Sequence, residues 1–249
     1  MGIRTSAVGK PDFGLDAPPV IYTFLGVAAV GVVLGGAGLL FSLPLLAFFG
    51  LVPLAIGLLT ASAMTLSSRL GKIALRDKLL DDLFLEDKER VLDLGCGRGL
   101  MLLGMVARMS GGEAVGIDLW RAGDQKGTSR RNCLENARRL GVADRVNLVD
   151  GDMRFLPFPE NSFDVVTASL AIHNISDREG RRKTMDEVAR VLRPGGSVLI
   201  VDFSKTEEYA EDAHAAGLVD VRRSSRKLLM YPLVRVVSAS KSGVREVSR

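Results

Sequence analysis

The stretch Val91-Leu92-Asp93-Leu94-Gly95-Cys96-Gly97-Arg98-Gly99 decides how this chain is read. A short apolar strand carries one acidic residue, passes into glycines at alternate positions, and restarts as the apolar run Leu100-Met101-Leu102-Leu103. That is the opening of a strand–loop–helix unit, and glycines there let backbone approach a ligand closely. A dinucleotide fingerprint would place its third glycine at position 100, which is Leu100. The spacing is instead DxGxGxG, and by itself it specifies no chemistry.

Outward from this loop the pattern alternates. Strands are predicted over 91–94, 114–118, 146–149, 164–168 and 197–202, and helices over 99–109, 128–140, 179–191 and 206–216. Two β-rich segments, 219–226 and 232–238, follow. Such alternation predicts a mostly parallel sheet covered by helices on both faces, with ligands at the carboxyl ends of the strands. Three features fall at those ends. Gly116-Ile117-Asp118-Leu119-Trp120 closes the second strand with a carboxylate able to accept two hydroxyls. The third strand runs into Gly151-Asp152-Met153. The fourth, through Ser169, opens onto Leu170-Ala171-Ile172-His173-Asn174, and Leu192-Arg193-Pro194-Gly195-Gly196 turns into the fifth.

At these residues the chain resembles the class I S-adenosylmethionine-dependent methyltransferases, particularly the branch containing ubiquinone/menaquinone C-methyltransferases, over about residues 89 to 204. The resemblance implies a Rossmann-like, seven-stranded α/β fold and S-adenosylmethionine as cofactor. It also implies that Asp93, Gly95, Cys96, Gly97 and Gly99 hold the methionine portion, Cys96 through its backbone. Asp118 would take the ribose, Leu119 and Trp120 would flank the adenosine, Asp152 and Met153 would meet the adenine, and backbone near Ser169 the ammonium. Capping of a helix or turn is the alternative for Asp93, Asp118 and Asp152, and core packing for Trp120. The polar segment 121–127 either covers the cofactor or is a surface excursion. Methyl transfer needs alignment and exclusion of water more than a base. If a base acts, His173 is the candidate, with a backbone-bonded structural role as the alternative; His214 reads as structural.

Residues 17–68 contain no Asp, Glu, Lys, Arg or His, far beyond the roughly 20 residues that cross a bilayer once. Two transmembrane helices, 20–41 and 44–66, are expected after a tail of 1–19, turning at Ser42-Leu43-Pro44. Glycines 31, 35, 36, 50 and 57 either let the two helices approach or are merely tolerated. Arg4 and Lys10 before the spans and Arg69, Lys72, Arg76 and Lys78 after them put both ends in the cytoplasm of a cell-membrane protein. A signal peptide would have an apolar core several times shorter. Residues 67–88 form an expected amphipathic connector that lies on the membrane, lids the site or packs on the domain; residues 89–243 form the catalytic domain and 244–249 a tail.

A mean hydropathy of +0.20 beside 25% charged residues reflects this concentration of apolar residues. The net charge of +4, without a basic block interleaved with aromatics, indicates no nucleic-acid partner. Cys96 and Cys133 lack metal-ligand spacing, so no metal is expected. The chain carries little sequence in which to build a substrate cap, which points to the connector and the membrane surface as the cover and to a small, lipophilic, membrane-associated acceptor. The alternative is a catalytically inactive membrane-anchored binding or assembly module that retains the fold.

Overall fold

A computed structural model describes residues 9–83, 85–120 and 129–243. Arg4, Phe84, the segment 121–127 and the tail 244–249 lie outside the described residues.

Two helices open the chain, α1 (Pro18–Leu40) and α2 (Pro44–Leu66), each with proline in its first turn, where a missing N–H costs nothing. They are antiparallel and packed backbone to backbone. A Cβ on Gly31 would collide with the Leu54 amide, one on Gly50 with Gly35, and one on Gly57 would lie 2.5 Å from the Ala28 nitrogen. Close approach is therefore the role of these glycines, whereas Gly36 faces open space. The outer faces are apolar and bare: Leu39 is 77% and Leu59 72% exposed. Both helices are long and apolar enough to cross a membrane.

The second helix does not stop at its apolar end. Through one wide π-type turn, Ser67–Gly71, it continues into α3 (Lys72–Asp81), giving an unbroken helix of 38 residues from Pro44 to Asp81. Leu75 and Leu80 on α3 are buried against the next domain, with Leu80 and the Arg76 stem fitted to the gap left at Gly104 on α4. The α3 segment packs on the domain, and it ends earlier than its apolar spacing suggests, with Leu83 and Leu85 outside the helix.

The domain is a seven-stranded sheet in the order β3-β2-β1-β4-β5-β7-β6. Its strands are β1 (Arg90–Leu94), β2 (Glu113–Asp118), β3 (Val146–Asp150), β4 (Phe163–Ser169), β5 (Leu192–Asp202), β6 (Leu218–Arg223) and β7 (Arg235–Lys241). The first five run parallel, and β7 is inserted antiparallel between β5 and β6. The helices are α4 (Leu100–Val106), α5 (Arg130–Arg139), α6 (Arg178–Val191) and α7 (Thr206–Ala215). Alternation along β1 assigns the faces: Val91 joins the core under α3, α4 and α5, while Leu92 and Leu94 join the core under α6 and α7. β7 begins three residues later than its apolar pattern suggests. Residues 224–234 are drawn out of the sheet instead, tied back by Val236 N to Ser224 Oγ at 2.9 Å.

Candidate functional site

Strand order reverses at β1 and β4, and there the carboxyl ends of the parallel strands open into a cavity of about 620 Å³. Asp93, Gly95, Cys96, Gly97, Asp118, Leu119, Asp152, Met153, Ser169 and His173 all line it. Gly99 stands just behind, at φ +84° with Leu103 and Cys133 closing on it. Thus residues from four strand ends, spread over 80 positions of sequence, meet at one opening.

The parity that puts Val91 on the α4 face puts Asp93 there too. One oxygen of its carboxylate accepts the Leu102 N–H at 3.1 Å and the other the Thr167 hydroxyl at 2.7 Å. Asp93 therefore caps α4 while still lining the cavity. Burial, aided by the charge of Asp118, raises its pKa to about 7 against the pull of those two donors. Because a carboxylate already occupies the start of α4, that helix end is not open to a pyrophosphate. Cys96 is buried beside Cys133, and this contact together with burial pushes its thiol pKa well up, leaving it un-ionised. Its backbone, not its sulfur, is what the loop presents.

Asp118 holds the loop in shape. Its Oδ2 accepts the Gly97 N–H at 2.8 Å and its Oδ1 the Trp120 N–H at 2.7 Å, leaving lone pairs on both oxygens toward the cavity. Gly95, at φ +63°, passes so near Ala171 that a Cβ would lie 2.5 Å from that residue's own, so no side chain fits between the loop and the β4 end. Trp120 turns outward: its indole N–H donates to Asp150 at 2.7 Å and the ring packs on the α4-side core. Asp152 is engaged by its own turn, accepting the Arg154 N–H at 2.9 Å and a two-pronged guanidinium contact from the same residue.

His173 sits in a short 3₁₀ turn after β4. Its Nδ1 lies 3.0 and 3.2 Å from the two oxygens of Asp202, and its ring leans on Phe203 at 4.6 Å between centroids. Asp202, fully buried at the end of β5, also accepts the Phe203 N–H at 2.8 Å and the Tyr209 hydroxyl at 3.3 Å. The backbone-bonded alternative for His173 is replaced by a carboxylate partner. Sequence reasoning missed Asp202, although an acid closing the apolar run Val198-Leu199-Ile200-Val201 is the same signal that marked Asp93 and Asp118.

A second feature that sequence reasoning missed is the strap before α1. Asp12 exchanges hydrogen bonds with Asn136 on α5 at 2.9 Å and pairs with Arg98 of the glycine loop, also at 2.9 Å. The buried ammonium of Lys72 donates to the carbonyls of Phe13 and Gly14 and to Asp16, at 2.8–2.9 Å. Lys72 is thus an interior anchor, 3% exposed. Phe13, Asp16, Ala17, Val20 and Met64 line the same cavity from the hairpin side, and Met230, Tyr231, Pro232 and Val234 from the β6–β7 loop. These supply the cover. Among the described residues no cluster of His, Cys, Asp and Glu is arranged to hold a metal.

Residues 92–200 match a family described as a methyltransferase domain. The chain is similar to a demethylmenaquinone methyltransferase of Clavibacter sepedonicus, 38% identical over 117 residues, 47% of this chain and 42% of that protein. It is also similar to a ubiquinone/menaquinone biosynthesis C-methyltransferase of Pectobacterium atrosepticum, 35% identical over 119 residues, 47% and 43% of the two chains. The chain thus spans less than half the length of these curated relatives. Among solved structures, the [4+2]-cyclase SpnF shares the fold at a TM-score of 0.57 with 21% identity, over 69% of this chain and 82% of that one. A geranyl diphosphate methyltransferase complexed with its diphosphate and sinefungin shares it at 0.52 with 18% identity, over 68% and 78%.

Proposed function

Given that residues 92–200 form a class I S-adenosylmethionine-dependent methyltransferase domain, we propose that this chain transfers a methyl group to a small lipophilic acceptor held in or on a membrane. The observation that carries the reading is that one cavity is lined both by the strand-end carboxylates and by the inner ends of the two apolar helices. The quinone-directed names of the relatives support an aromatic, quinone-like ring as the acceptor.

The site suits the cofactor. A ligand bearing an ammonium and a sulfonium matches Asp93, Asp118 and Asp152 better than a phosphate-rich one, and a glycine loop with no room for side chains suits close backbone contact. When bound, S-adenosylmethionine supplies an activated methyl on sulfur. Asp93, the Gly95–Gly99 loop and backbone near Ser169 hold the amino-acid portion; Asp118 takes the ribose hydroxyls and Leu119 flanks the adenosine; Asp152 and Met153 face the base, with Arg154 steadying Asp152. The strap and hairpin end exclude water, which methyl transfer requires more than it requires a base.

His173 acts where the acceptor carries a proton. Asp202 holds the Nδ1 edge and fixes the tautomer with hydrogen there, so Nε2 at the other edge accepts the proton that leaves the acceptor atom as its bond to the methyl carbon forms. The hairpin embeds the cytoplasmic domain at the membrane surface. Incubating native membranes with the full chain and methyl-labelled cofactor, then identifying labelled products by mass spectrometry, tests this. Label in a lipid-soluble small molecule is expected; label only in water-soluble acceptors would sink it.

A further inference from the structure

From the contact between the β6–β7 loop and the end of α2, we propose that residues 226–231 form a second membrane contact, a loop that inserts into a surface of anionic lipid headgroups beside the hairpin. The inference rests on the reading of the hairpin as membrane-embedded. Ser67 directly follows the last residue of α2, and its hydroxyl oxygen accepts the Tyr231 N–H at 2.8 Å across 164 positions of sequence. One turn further, the absent side chain of Gly71 is replaced by the Leu229 carbonyl, packed directly against the helix backbone. The loop is therefore fastened at the depth where the apolar helix leaves the bilayer, and it cannot sit elsewhere without breaking that seam.

What the loop exposes there matches that depth. Leu228 is 85% exposed, the most exposed of the large apolar side chains in the molecule as described, and Leu229 and Tyr231 are exposed beside it. An apolar tip of this kind is costly in water and favourable among headgroups, with tyrosine at the boundary. Arg226 and Lys227 precede the tip. Neither has an ion-pair partner among the described residues, unlike most arginines of the domain. Cations bordering an apolar tip suit anionic lipid, at a gain near 1 kcal/mol each, or about fivefold in the in–out equilibrium. The inward residues of the same loop, Met230 and Val234, line the cavity with Val20 and Met64 of the hairpin. The cavity mouth then lies between two membrane contacts, and an acceptor enters from the lipid without crossing water.

Both native cysteines are buried, so a single reporter can be placed by substitution. Leu228→Cys, labelled with an environment-sensitive fluorophore, is reconstituted as full chain in vesicles of phosphatidylcholine with phosphatidylglycerol, and Lys88→Cys, at the opposite end of the strands, serves as the aqueous control. Blue-shifted emission and quenching by headgroup-level spin-labelled lipid at 228 but not at 88 are expected. Neutralising Arg226 and Lys227 together, each to Gln, should weaken quenching by roughly 25-fold in equilibrium terms, in anionic vesicles only. Vesicle flotation after alkaline washing is read on the same samples. A chain that floats with its 228 label in water overturns the loop proposal and leaves the hairpin; a chain that does not float overturns the membrane reading beneath it.

Discussion

The imidazole Nδ1 of His173 stands 3.0 Å from Asp202 Oδ1, and Asp202 is in turn held by the Phe203 N–H and the Tyr209 hydroxyl. A carboxylate at a buried strand end, bonded on three sides, fixes which edge of the ring is turned to the cavity.

Asp202→Asn keeps the shape but loses the charge that selects the tautomer. For an acceptor that must lose a proton, kcat should fall by about 10²- to 10⁴-fold with KM nearly unchanged. His173→Gln should cost about as much, and the double variant little more. Additive losses, or a rise in KM alone, would show that the pair is only structural.

Asp118→Ala removes the acceptor for the Gly97 and Trp120 N–H groups as well as the proposed ribose contact. Hydrogen bonds to a charged group contribute about 1.5–3 kcal/mol, so affinity for S-adenosylhomocysteine should fall at least tenfold by calorimetry. Unchanged affinity would remove Asp118 from the site.

Asp93 has a pKa raised by burial to about 7, so the folded state holds its proton more tightly than the unfolded chain. Its contribution to stability is full below the ordinary carboxylate range and is lost as pH rises through about 7. Asp93→Asn should flatten the thermal stability profile between about pH 4 and 7. A cationic ligand beside Asp93 lowers that pKa, so cofactor binding near pH 7 should release protons in the wild type and not in the variant, as read by calorimetry in buffers of different ionisation enthalpy.

Lys72→Met leaves the carbonyls of Phe13 and Gly14 and the Asp16 carboxylate without their common donor. The loss should be about 2–4 kcal/mol, seen as a lower unfolding temperature in detergent. Early proteolytic cutting near residues 12–16 should accompany it. A variant as resistant as the wild type would mean that the strap is held by Asp12 and its partners alone.

Much of the fold follows from local chemistry that a sequence displays. Strand and helix periods, glycines at alternate positions after Asp93 and a charge-free run from Ala17 to Ser68 each act through neighbours within a few residues, and the strand ends at Asp118 and Ser169 fell where those patterns put them. What tertiary structure alone decided are pairings across long separations. Asp202 finds His173 only because β4 and β5 are neighbours; Lys72 finds Phe13 across 59 residues; the Trp120 indole meets Asp150; and Ser67 meets Tyr231. No local pattern encodes these contacts, because each depends on where two separately folded elements are set down, and that is settled by burial of the sheet faces as a whole.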